Sequence, residues 1–77
     1  MKKLTELNIG DTLLVGDIVV EQRSGMDVRY TVYKSNPKTV SAYSEYMKRR
    51  TFPLEYAEGF KGHMCKYPAK VYRYDKN

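Results

Sequence analysis

The chain is poor in cysteine, lacks tryptophan and has no long apolar run, and each shortage removes a class of protein. Cys65 is the one cysteine in 77 residues, so no intrachain disulfide can close. The bridge-dense frameworks of small secreted domains are thereby excluded, which points to a reducing, cytosolic setting. The longest aliphatic stretches, Leu13-Leu14-Val15 and Ile18-Val19-Val20, are far too short to span a bilayer. Met1-Lys2-Lys3 is followed by Leu-Thr-Glu-Leu-Asn and not by an apolar core, so the start does not read as a signal peptide. No Walker loop, dinucleotide fingerprint or serine-centred elbow occurs. There is no internal repeat and no low-complexity segment.

A chain this short makes one domain, running from residue 1 to 77 with a frayed tail at 75–77. It buries only about 60–65% of the surface that its unfolded form exposes. Apolar residues make up 42%, but eight of them are tyrosines and only two are phenylalanines. Tyrosine packs its ring while its hydroxyl still needs water or a partner. The expected core is therefore a single layer of aliphatics with aromatics reaching from its rim to the surface.

Charge divides unevenly. Residues 1–33 carry four basic and five acidic side chains, whereas 34–77 carry ten basic and four acidic, and the whole stands at +5. A cationic excess in one half suits a surface facing a negative partner, though +5 would also serve solubility alone.

Hydrophobic period supplies the elements. Lys3 to Asn8 reads as a lead-in, Thr12–Val15 as a first strand, and Gly16-Asp17 as a hairpin turn or a bulge before Ile18–Gln22. Gly25 supplies a positive φ to the next turn. Val28 to Lys34 is the clearest strand: Val28, Tyr30 and Val32 alternate with Arg29, Thr31 and Tyr33. Asn36-Pro37 then has the form of a helix N-cap and first helical position, and Val40, Tyr43 and Met47 follow as an apolar stripe. A helix over about 37–50 is expected, with a strand over 39–43 as the competing assignment. Leu54–Glu58 suits a short helical turn closed by Gly59, and Ala69–Tyr74 a last strand with Ala69 and Val71 inward. The expected class is α+β: a small three- to five-stranded antiparallel sheet, or a partly open barrel, with one helix.

Candidate binding residues lie on these elements. Lys48, Arg49 and Arg50 would complement the negative end of the helix dipole, or contact phosphates. Lys61, Lys66, Lys70 and Arg73 recur downstream with Tyr72 and Tyr74 among them, and Arg29 and Tyr33 share the outer face of the clearest strand. Cations contact phosphates while exposed rings offer stacking platforms for unpaired bases. The same composition suits protein docking, since Tyr and Arg dominate interface hot spots. Gly59-Phe60-Lys61-Gly62 has the spacing of the Gly-x-x-Gly loop by which KH domains clamp a nucleic-acid backbone, but as a turn between glycines it needs no such role. His63 and Cys65 are too few for a structural zinc and lack a third residue to orient a catalytic pair. Glu55 and Glu58 suggest no pocket, and Asp11 and Asp17 beside glycines are turn residues.

The chain is thus expected to be non-enzymatic, without cofactor or metal, and to bind DNA or RNA through a Lys/Arg/Tyr surface. The alternative is a small regulatory or inhibitory protein that docks through exposed tyrosines onto a larger one, such as a protein of the nucleic-acid machinery. Lys- and Tyr-rich and without a catalytic motif, the chain resembles in style the short accessory proteins that bacteriophages encode. A homo-oligomer completed along a free strand edge is compatible with both.

Overall fold

The computed structural model describes residues 3–23, 25–57, 60 and 69–75. These form an antiparallel six-stranded open sheet: β1 (Leu4–Glu6), β2 (Ile18–Arg23), β3 (Met26–Ser35), β4 (Thr39–Ser44), β5 (Arg49–Pro53) and β6 (Ala69–Tyr74). The spatial order is β1-β6-β2-β3-β4-β5. β2 to β5 are a meander of hairpins, and β6 returns to lie between β1 and β2.

The expected α+β class is overturned: the described residues form an all-β sheet with no α-helix, and β4, a turn and β5 occupy 37–50. Asn36 and Pro37 begin a hairpin and not a helix. Asn36 N–H donates to the Thr39 carbonyl across a tip of Pro37 and Lys38, and its side-chain amide reaches Thr39 Oγ1 and Ser41 Oγ. Proline's fixed φ serves a turn as well as a helix start. Val40 and Ala42 then alternate inward with Ser44, while Tyr43 points out, a period of two that the helical stripe concealed. The helix interior instead holds a second turn, in which Ser44 Oγ accepts from the Tyr46 and Lys48 amides. Met47 there takes a φ of 64°. The lead-in also proves to be a strand, since β1 pairs Leu4 with Tyr74 and Glu6 with Tyr72. The strand expected over Thr12–Val15 shrinks to one bridge, Thr12 with Glu55.

Val28 to Lys34 and Ala69–Tyr74 are strands with the facing read from their alternation. One face of the sheet holds the core: Val19 from β2, Val28, Tyr30 and Val32 from β3, Val40 and Ala42 from β4, and Phe52 from β5. Ala69 and Val71 complete it from β6. Two segments cover that face. The strap 7–17 starts beside β6, where Leu7 N–H donates to the Val71 carbonyl at 2.8 Å. It passes the chain beyond β5, where Leu13 N–H donates to the Leu54 carbonyl at 2.8 Å, and ends beside β3, where Gly16 N–H donates to the Val32 carbonyl at 2.9 Å. Leu13 from the strap and Tyr56 and Phe60 from the chain after β5 are buried against the sheet. Phe52 and Phe60 pack at 5.4 Å between ring centroids, within the range of favourable aromatic contacts.

The strap is built from the same turn twice. In Asn8-Ile9-Gly10-Asp11 and in Leu14-Val15-Gly16-Asp17 the aspartate amide donates to the carbonyl three residues back. Its carboxylate accepts the amide of that same residue at 2.8 Å. Gly10 and Gly16 hold φ of 99° and 97°, which a β-carbon would disfavour. Beyond β6, Asp75 continues the edge: its amide donates to the Lys3 carbonyl and its carboxylate accepts from Thr5 Oγ1.

Candidate functional site on the outer sheet face

Directly paired residues in an antiparallel sheet share a face, so the register defines what the uncovered side presents. One row runs Glu6, Tyr72, Ile18, Thr31, Tyr43, Arg49 across all six strands. A neighbouring row holds Lys70, Val20 and Arg29. Tyr33 lies on this side by the alternation of β3, and its ring stacks on that of Tyr43 at 4.5 Å and 20°. Leu4 and Tyr74, paired at the β1 edge, complete the aromatic complement. This side therefore carries four tyrosines with Arg29, Arg49 and Lys70 among them.

Between its two aromatic ends lies a shallow pocket of about 290 Å³. Ile18 and Val20 form its floor with Leu4, and Tyr72, Gln22, Asp27 and Arg29 stand around it. Ile18 is only 7% exposed yet is not part of the core cluster, because its neighbours on the outer face cover it.

The arginines on the opposite side are committed to buried carboxylates. Glu21, on the core face of β2, receives Arg23 Nε at 2.6 Å and is held also by Arg50 Nη1. The Arg50 guanidinium lies over the rings of Tyr30 and Phe52, at 5.5 and 5.1 Å. Burial by itself pushes the Glu21 carboxyl up, but the hydrogen bonds from Arg50 and Arg23, with their charges, outweigh it and hold it below the ordinary value. At the other end Arg73 grips Asp17 through Nε at 2.9 Å and Nη2 at 2.8 Å, and Nη2 also donates to the Thr12 carbonyl. The bonds to Asp17 raise Arg73 further above its already high value, against the opposing effect of its own partial burial.

The candidate residues are thereby sorted. Arg29, Tyr33, Arg49, Lys70, Tyr72 and Tyr74 come together on the outer face. Lys48, Arg49 and Arg50 form no common patch: Lys48 stands in the β4–β5 turn, Arg49 faces out and Arg50 faces the core side. Arg73 ties β6 to the strap. Lys61 and Lys66 lie outside the described residues, as do His63, Cys65 and both glycines of the Gly-x-x-Gly spacing, whereas Phe60 between them is core. Among the described residues no group of three His, Cys, Asp or Glu side chains is placed to hold a metal, and no helix is long and apolar enough to cross a membrane. Sequence reading missed Tyr43, Ile18, Val20, Gln22 and Asp27 as outer-face residues. The alternation of Val40 and Ala42 was the available signal for Tyr43. The grouping of Ile18, Val20, Gln22 and Asp27 had none, because their proximity depends on strand pairing.

No family model, curated protein or solved structure matches the chain.

Proposed function

We propose that the chain is a non-enzymatic module that binds single-stranded nucleic acid on the outer face of its sheet. The observation that supports this most is the placement, on the one face that the core does not use, of stacking rings and of cations that make no ion pair among the described residues. Tyr72 on β6 and the Tyr33–Tyr43 pair on β3 and β4 stand at either side of Arg29, with Lys70 and Arg49 flanking. From β6 to β4 is three strand spacings, or about 14 Å, a span suited to a short extended strand. Bases stack on exposed rings without sequence preference, and the cations neutralise phosphates. A duplex hides the faces of its bases, so it gains only the electrostatic part.

Fluorescence anisotropy with short DNA and RNA strands, titrated across salt concentration, tests this reading. Three phosphate contacts give an expected slope of log affinity against log salt of about −2 for a single strand. Replacing Arg29, Arg49 and Lys70 together by alanine flattens it. No binding at low salt would remove nucleic acid from consideration and favour the alternative, a protein partner docked on the same tyrosines.

A further inference from the structure

We infer that the outer-face pocket is a seat for one guanine base, an inference that rests on the nucleic-acid reading above. The volume, about 290 Å³, lies just under the roughly 300–1,000 Å³ of sites that enclose drug-sized ligands, and suits a single planar ring system. Its floor is aliphatic, from Ile18 and Val20, and Tyr72 offers an aromatic wall. Its polar groups are concentrated on one side. Gln22 and Asp27 are direct cross-strand partners next to the β2–β3 turn, so their β-carbons lie about 5 Å apart. Arg29 follows Asp27 two residues on, along the same face. Among the described residues, the side chains of Gln22, Asp27 and Arg29 make no hydrogen bond or ion pair. The three arginines bound to Glu21 and Asp17 contrast with them.

The chemistry of that edge selects among bases. A carboxylate only accepts hydrogen bonds. Guanine alone presents two adjacent donors, N1–H and the N2 amine, which Asp27 can accept together. Its neighbouring O6 is an acceptor within reach of the Gln22 amide N–H. Adenine and cytosine place a ring-nitrogen acceptor beside their amine, and thymine and uracil flank their single N–H with two carbonyls. Each of these sets an oxygen or nitrogen lone pair against the carboxylate. Arg29 is left to meet the adjoining phosphate.

Anisotropy titrations compare an all-thymine strand with the same strand carrying one guanine, and with one carrying hypoxanthine, which lacks the N2 amine. The guanine strand is expected to bind about tenfold tighter than the thymine strand, as one good bidentate base contact provides. Hypoxanthine loses most of that gain, and Asp27→Asn abolishes the guanine-to-thymine ratio. Equal affinities for guanine and thymine strands, with measurable binding of both, overturn the guanine seat and leave the general nucleic-acid reading intact. A ratio that survives in Asp27→Asn overturns it too. Absence of binding to every strand at low salt overturns both. The hypoxanthine comparison uses the wild-type chain and is independent of how the variant folds.

Discussion

Glu21 is a carboxylate almost without solvent access, flanked by two arginines that remain partly exposed. Its folded value lies below the unfolded one, so the stability it contributes is present above the ordinary glutamate range. That contribution is lost as pH falls through the depressed value. Thermal melts between neutral pH and pH 3 are expected to show a falling Tm, and Glu21→Gln a lower but flatter profile. At neutral pH, Glu21→Ala removes the buried carboxylate that Arg23 and Arg50 both hold and costs on the order of 2–3 kcal/mol, read by urea denaturation. Met47 makes the opposite case. It is 77% exposed and holds a left-handed φ that a side chain disfavours, so nothing in its packing offsets the strain. Met47→Gly is expected to raise stability by about 0.5–1 kcal/mol in the same assay.

At the scale of elements, the strap needs an anchor because it pairs with strands only at scattered points. Arg73 supplies one by joining the C-terminal end of β6 to the second Gly-Asp turn and to the Thr12 carbonyl. Removing it leaves Asp17, 2% exposed, with the Leu14 amide as its remaining hydrogen-bond donor. Arg73→Ala is expected to cost about 2 kcal/mol, at the low side for a broken buried pair because the guanidinium is itself partly exposed. Arg73→Lys keeps the charge but not the two-pronged grip, and urea denaturation should place it between the two. Since Arg73 is engaged on the core side, neither change should alter the salt slope of binding. Tyr43→Ala, by contrast, removes half of the Tyr33–Tyr43 platform. It is expected to weaken single-strand binding by about 5- to 50-fold in anisotropy titrations, within the range measured for base–aromatic stacks.

Across the whole molecule the sheet has two faces with different duties. One is closed by the strap, Tyr56 and Phe60, and its arginines 23, 50 and 73 are held on two buried carboxylates, Glu21 and Asp17. The other keeps Arg29, Arg49 and Lys70 beside tyrosines, so the net charge of +5 has an uncovered surface on which to act. A face that binds by stacking should discriminate against base-paired partners. Single strands are expected to bind at least tenfold more tightly than the corresponding duplex at physiological salt, measured by competition in the same anisotropy format.

The local sequence carried what depends on local alternation. Val28, Tyr30 and Val32 announced the core face of β3, as Ala69 and Val71 did for β6, and Arg29, Tyr33, Lys70, Tyr72 and Tyr74 followed to the outside. Gly25 marked its turn because positive φ is a property of one residue, whereas Gly16, expected in a hairpin or a bulge, lies in the turn of the strap at 14–17. Where two periods fitted the same letters, local information failed: Val40, Tyr43 and Met47 match a helical stripe, yet Val40 and Ala42 pack inward as strand residues. The deciding interaction is pairing with β3 and β5, which lies outside any short window. The same holds for β1, whose partner is the last strand of the chain, and for Arg50 and Arg73, whose carboxylates are distant in sequence. Tertiary structure alone decided which cations were neutralised and which were left facing out, because an ion pair is set by distance in space. It also brought Gln22 beside Asp27 over Ile18 and Val20, a juxtaposition made by strand register.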